Sequence, residues 1–415
     1  MRFTIALFVT AVLTILPGHL AVPQTQQTRY FETDFKLVAE ISPQAAFPAF
    51  TTVYTQAFTL SPDGARLFVQ FDGLRKDAMQ ETWLAVWDTS SKALIKSVRI
   101  GGPVSVPKTV DQVAVHRNVQ ITTDAKKLVV TVGGRLLILD AAGLDLIHEI
   151  TAAIGKSPGE ARMEFAHTEI ARNAGVVLAV ASGPAYPKGP AEARLFDINS
   201  GEKLAAWDIQ AGSPQTIHLS PDGREALMIP GNPVSDVDIL LLDATTGKIL
   251  QSISSGYRIG RSFGAGNAEF LNDGNIIVTP AFPTDRRGRY AGNELKIINS
   301  SEKRIIAQIA PPRFGPVGQL QVSSTGDRFE TESEYLTHRQ ITGDRIVPAD
   351  TSYLLFDANN LHEAYRVRFP HLRVAKDSGY FRVRFSADLE YAAMIYNDPI
   401  SIFRVVHPGT PAASR

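Results

Sequence analysis

Arg258, Arg261, Arg286, Arg287, Arg289, Arg313 and Arg373 crowd into one part of this chain, with Tyr257 and Tyr290 among them. Arg368 and Lys376 add to the same stretch, and Asp285 and Asp377 offset little of it. Guanidinium groups grip carboxylates and phosphates with two parallel hydrogen bonds, and aromatic rings beside them stack on sugars or apolar groups. These residue types at this density predict an anion-binding sector. The plainer reading is a set of solvated loops whose arginines pair with nearby carboxylates.

Other chemistry-bearing motifs are weaker. Gly260-Arg261-Ser262-Phe263-Gly264 spells the G-x-S-x-G of a nucleophile elbow. That motif needs a strand before it and a helix after it within an α/β-hydrolase sheet, whereas here it lies in a loop between β-units with no hydrolase domain downstream. Gly155-Lys156-Ser157 lacks the upstream glycine of a phosphate loop. His116, His167, His338 and His371 are expected in loops of one face but have no local ligand spacing. No metal and no cofactor is implied, and no catalytic residue is assigned.

The elements that must position these residues are repeats. Residues 217–253 hold four short apolar runs, with Ser220-Pro221-Asp222-Gly223 after the first and residues 243–248 (DATTGK) after the third. Ser-Pro-Asp-Gly suits a type I turn with a glycine exit. Four strands with two tight turns make a small antiparallel sheet, which buries its faces only against copies of itself. Such units recur at 58–100, 119–150, 168–209, 217–253, 268–309, 320–367 and 383–406. The last lacks a fourth strand, and residues 31–41 supply a spare one upstream of the first. Pairing the two closes a ring and removes its open edges. The fold class is therefore all-β: a seven-bladed β-propeller of four-stranded antiparallel blades, closed by an N-terminal strand that completes the last blade. An Asp follows the third strand at Asp88, Asp140, Asp197, Asp243 and Asp357. There it is expected to accept backbone N–H groups of the turn, a structural role.

Ser-Pro-Asp-Gly, a strand ending in Asp, then Thr-Gly-Lys resembles the WD40-like and YVTN-type propeller repeats of the bacterial envelope. Trp87-Asp88 is one intact WD pair. The slot is otherwise Leu139-Asp140, Phe196-Asp197, Leu242-Asp243 and Phe356-Asp357, and Ile298-Asn299 departs from it. The resemblance covers nearly the whole chain and implies a fold that hosts binding platforms, lactonases and quinoprotein subunits.

The chain has 415 residues with 42 Lys+Arg against 42 Asp+Glu, a neutral balance that argues against nucleic-acid partners. With no Cys, disulfides, lipoprotein attachment and thiolate-held haem or zinc are excluded. Residues 1–21 read as a secretory signal, with Arg2 ahead of an apolar run that Pro17-Gly18 breaks. Residues 22–29 form a spacer, 30–406 a single propeller domain and 407–415 a disordered tail.

The first-to-second and third-to-fourth turns are uniformly tight, whereas the long, irregular loops fall on the opposite face. Function concentrates on elaborated loops held by a rigid frame. The expectation is a secreted or periplasmic monomer, peripheral to a membrane at most, that binds a protein, peptide or anionic glycan on the long-loop face. Two alternatives are a propeller hydrolase or lactonase-like enzyme acting at the channel mouth, and a redox subunit resembling quinoprotein propellers.

Overall fold

The computed structural model describes residues 25–26, 28–105, 117–152, 164–182, 191–209, 214–230, 238–257, 265–280, 294–309, 317–335, 340–342, 345–347, 350–368, 382–395 and 399–406. Seven antiparallel sheets of four strands stand in a ring, as the repeat pattern predicts. Their innermost strands are Thr52–Leu60, Val119–Ile121, Glu164–Ile170, Pro214–Leu219, Ala265–Phe270, Val317–Val322 and Arg382–Phe385. Blades 1 to 7 are numbered from these. Seven apolar clusters hold the ring, one between each pair of neighbouring blades. Between blades 1 and 2, for example, Phe68, Leu84 and Val86 meet Val119, Leu128, Leu137 and Leu139.

Closure follows the expected route. Arg29–Ile41 runs antiparallel to Ile400–Val405, from Phe35 opposite Val405 to Ile41 opposite Ile400. A bulge between Leu37 and Ala39 keeps Leu37 and Val38 both exposed while Phe35, Ala39 and Ile41 stay buried. The structure adds a second role that the sequence pattern did not suggest. Arg29 to Asp34 pair in parallel with Glu363 to Arg368, the outer strand of blade 6. Thr25 and Gln26 pair in parallel with Gln308 and Ile309 of blade 5. The N-terminal segment thus ties three blades together.

The tight turns explain themselves locally. In blade 1 the Ser61 hydroxyl donates to Asp63 and accepts from the Arg66 N–H, and Gly64 exits with φ +67°. The same set recurs at Ser220, Asp222, Glu225 and Gly223. The Asp after the third strand does accept turn N–H groups: Asp88 from Ser91, Asp197 from Asn199 and Ser200, Asp243 from Thr245 and Thr246. Hydrogen bonds from Ser91 and Ser90 hold the Asp88 carboxyl down at about 2, and those from Thr245 and Thr246 do the same for Asp243.

Candidate axial site

One position in each innermost strand lies two residues before the turn. Around the ring it is Thr59, Gln120, Glu169, His218, Glu269, Gln321 and Arg384. Its flanking residues are mostly apolar and buried, as with Ile217 and Leu219 or Ala268 and Phe270. Strand alternation therefore turns the polar member away from the inter-blade core.

Two of the seven show what this position does for the fold. The Gln120 amide donates to the Thr168 carbonyl at 3.0 Å and accepts from the Ile170 N–H at 3.2 Å. Gln321 brackets Phe385 in the same way, donating to its carbonyl at 3.1 Å and accepting from its N–H at 3.3 Å. Each glutamine supplies hydrogen bonds that adjacent innermost strands do not make to each other directly. A carboxylate only accepts, so a glutamate cannot make this clamp.

Blades 3, 4 and 5 give the clamp up in succession. Glu169, His218 and Glu269 meet near the axis, with His218 Nδ1 3.7 Å from Glu169 Oε1 and 3.7 Å from Glu269 Oε1. Their side chains are 23%, 12% and 16% exposed. The His218 ring lies in side-chain hydrogen-bonding reach of Glu169 and Asn267, although neither contact meets strict hydrogen-bond geometry. His167, two residues before Glu169, donates from Nε2 to the Ile217 carbonyl at 2.8 Å, and its ring stands edge-on to His218.

Arg172, in the turn of blade 3, reaches to blades 5 and 6. It donates to the Ser323 carbonyl at 2.9 Å and to the Phe270 carbonyl. These bonds cross the axis at the tight-turn end. From blade 7 the exposed Arg384 acts electrostatically on Glu269.

Burial and mutual charge set the protonation of the cluster. Burial opposes a charged His218 imidazole, but Glu269 and Glu169 outweigh it and raise its pKa to about 9. Burial also raises Glu269, to about 7, against the pull of His218. For Glu169 burial acts upward, yet His218, His167 and Arg172 hold the carboxyl below its ordinary value. Burial lowers Arg172, with Glu269 and Glu169 opposing. Near neutral pH these directions favour an imidazolium between a carboxylate, Glu169, and a partly protonated carboxyl, Glu269. Such a group can donate or accept a proton, or hold a charged ligand. Among the described residues, no three His, Asp or Glu side chains converge to hold a metal ion.

No family model matches this chain, and no curated protein matches it. The propeller arrangement rests on the structure itself, and the activity must be argued from the site.

Of the residues selected from sequence, Tyr257 is described and is buried. Its hydroxyl lies 2.6 Å from the Glu294 carbonyl and 2.9 Å from that of Val278, and Lys296 Nζ stands 4.0 Å over its ring. This places Tyr257 in the core between blades 4 and 5. Arg258, Arg261, Arg286, Arg287, Arg289, Arg313, Arg373 and Tyr290 lie outside the described residues, as do His116, His338 and His371. His167 stands in an innermost strand, where the sequence reading expects a loop. Glu169, His218, Glu269, Arg172 and Arg384 went unnoticed. For all of these except Arg172 the signal was a polar residue at one fixed offset before every turn.

Proposed function

We propose that this chain is a secreted or periplasmic binding platform whose ligand enters from the long-loop face and reaches the axial cluster. The observation that carries the reading is a largely buried charged cluster in three adjacent blades, at the position where blades 2 and 6 carry the glutamine clamp. At the equivalent position two of the seven blades carry a clamping glutamine, and desolvated charges there weaken the frame unless they serve something else. The entry side follows from Arg172, whose bonds cross the axis at the other end. The arginines expected on the long loops would then surround the mouth, where focused charge raises affinity for acidic partners.

The test is a thermal-shift screen of acidic peptides and uronic-acid glycans against the parent, His218→Ala and Arg286/Arg287/Arg289→Ala. The reading requires a ligand whose stabilising effect is lost in His218→Ala. A ligand that stabilises parent and His218→Ala equally would place binding elsewhere.

A second reading, acid–base catalysis by a hydrolase, is favoured by the Glu269 carboxyl poised at about 7 beside His218. Turnover of chromogenic aryl esters and lactones that disappears in Glu269→Gln would support it.

A further inference from the structure

Beyond the axial reading and independent of it, we infer that the seam between blades 7 and 1 holds a second site on the long-loop face, which takes a uronate-bearing glycan at Arg75, Arg99 and Trp83.

The fold opens the place. The strands of blade 1 are 9, 9, 10 and 12 residues long, against 4, 5 and 6 for the C-terminal strands of blade 7. Blade 1 therefore stands above its neighbour at the long-loop end, with Leu74 opposite Gln80 and Met79 opposite Ser105 in the raised part. Lower down, Trp87 is buried in one cluster with Ile41, Ile400 and Ile402. Higher on the same side Trp83 is only partly buried, with the Phe47 and Phe50 rings 6.1 Å and 6.3 Å away. Arg99 lies opposite Trp83 in the sheet and so projects on that side too.

Glu81 organises the charged groups there. It is 4% exposed, and its Oε2 accepts the Trp83 indole N–H at 3.1 Å. Its Oε1 accepts from Arg75 Nη1 at 3.3 Å and stands 3.6 Å from Arg99 Nη1. One carboxylate oxygen thus gathers two guanidinium groups whose side chains are 50% and 51% exposed. Arg75 also meets Asp77 through Nε at 3.5 Å, whereas Arg99 makes no hydrogen bond among the described residues. Trp83 and Arg75 already give each oxygen of Glu81 a donor, and a half-exposed ion pair adds little stability. The frame therefore gains little from Arg99.

A ligand gains more. A guanidinium fork matches a planar carboxylate with two parallel bonds, and tethering at Glu81 lowers the entropy lost when the pair grips it. The apolar surfaces of Trp83 and half-buried Phe47 suit the C–H face of a pyranose ring. A carboxylate carried on a sugar uses both features, whereas an acidic peptide uses only the arginines.

The experiment is calorimetric titration of trigalacturonate, maltotriose and triglutamate into the full chain, Arg75→Gln, Arg99→Gln and His218→Ala. Both arginines are half exposed, so their glutamine variants should melt as the parent does. Each should bind trigalacturonate about tenfold more weakly, while His218→Ala should bind it as the parent does. Parent affinity should fall as salt rises from about 50 mM to about 300 mM. No binding of trigalacturonate, or unchanged affinity in both arginine variants, overturns the inference and leaves the axial reading to its own screen. Equal affinity for maltotriose overturns recognition of the carboxylate, and equal affinity for triglutamate overturns the glycan assignment. Loss of trigalacturonate binding in His218→Ala alone overturns the seam site and assigns this ligand to the axial cluster.

Discussion

Replacing Ile41 with alanine tests whether the N-terminal strand holds the ring shut. Ile41 is 3% exposed and belongs to the apolar cluster that joins blade 7 to blade 1, with Leu60, Val69, Trp87, Ile400 and Ile402. The change deletes three carbons. At about 0.8 kcal/mol per buried methylene, transfer alone costs about 2.4 kcal/mol. The cavity left against Ile400 and Trp87 should bring the total to about 3–4 kcal/mol. Leu37, on the same strand, is 50% exposed beside the bulge, and Leu37→Ala should cost less than about 1 kcal/mol. Urea unfolding of the two variants against the parent, read as midpoint shifts, measures the difference. Deleting residues 29–41 should go further, because it exposes the apolar edges of Ile400–Val405 and Asn360–Arg368 and so promotes aggregation visible by light scattering. If Ile41→Ala and Leu37→Ala shift the midpoint equally, the strand does not lock the ring and the closure argument is wrong.

Stability should depend on pH with a sign set by the axial cluster. The His218 pKa is raised from 6.5 to about 9, so its contribution is full below 6.5 and lost as pH rises through 9. The Glu269 pKa is raised from 4.5 to about 7, so ionising it works against the fold between those values. Both limbs fall with rising pH, and Glu269→Gln should flatten the one between 4.5 and 7 in melting curves taken across that range. Gly64→Ala should cost more than about 1 kcal/mol in urea unfolding, because φ is +67° and a Cβ would lie 2.4 Å from the Tyr391 ring. Arg172→Met should cost about 1–3 kcal/mol in the same assay by stranding the Ser323 and Phe270 carbonyls. A variant as stable as the parent would mean that those bonds do not hold the tight-turn end together.

The fold was legible because its determinants are local and repeated. Ser61-Pro62-Asp63-Gly64 and Ser220-Pro221-Asp222-Gly223 announce the same turn, and Asp88, Asp197 and Asp243 announce the next one. The missing last strand and the spare first one identified each other without any three-dimensional information. The parallel pairing of Arg29 to Asp34 with blade 6 was hidden, because a parallel edge contact leaves no mark on turn chemistry or spacing. The site was hidden for a different reason. Alternation of apolar and polar residues in Ile217-His218-Leu219 says that His218 faces away from Ile217 and Leu219, but only ring geometry brings Glu169 and Glu269 to the same imidazole. Aligning the units on their turns would have exposed the series Thr59, Gln120, Glu169, His218, Glu269, Gln321 and Arg384. Arg172 could not have been found this way, since its acceptors lie in blades 5 and 6.

The central claim is that Glu169, His218 and Glu269 occupy positions where the frame itself is better served by a glutamine clamp. The most direct test is the ligand-free melting temperature of the combined variant Glu169→Gln, His218→Gln, Glu269→Gln. Removing a desolvated charge cluster and restoring amides that can bracket the next blade should stabilise the fold by about 1–4 kcal/mol. The expected melting temperature is several degrees above that of the parent. A melting temperature below the parent's would show that the three charges hold the ring together, and would contradict their assignment as a site.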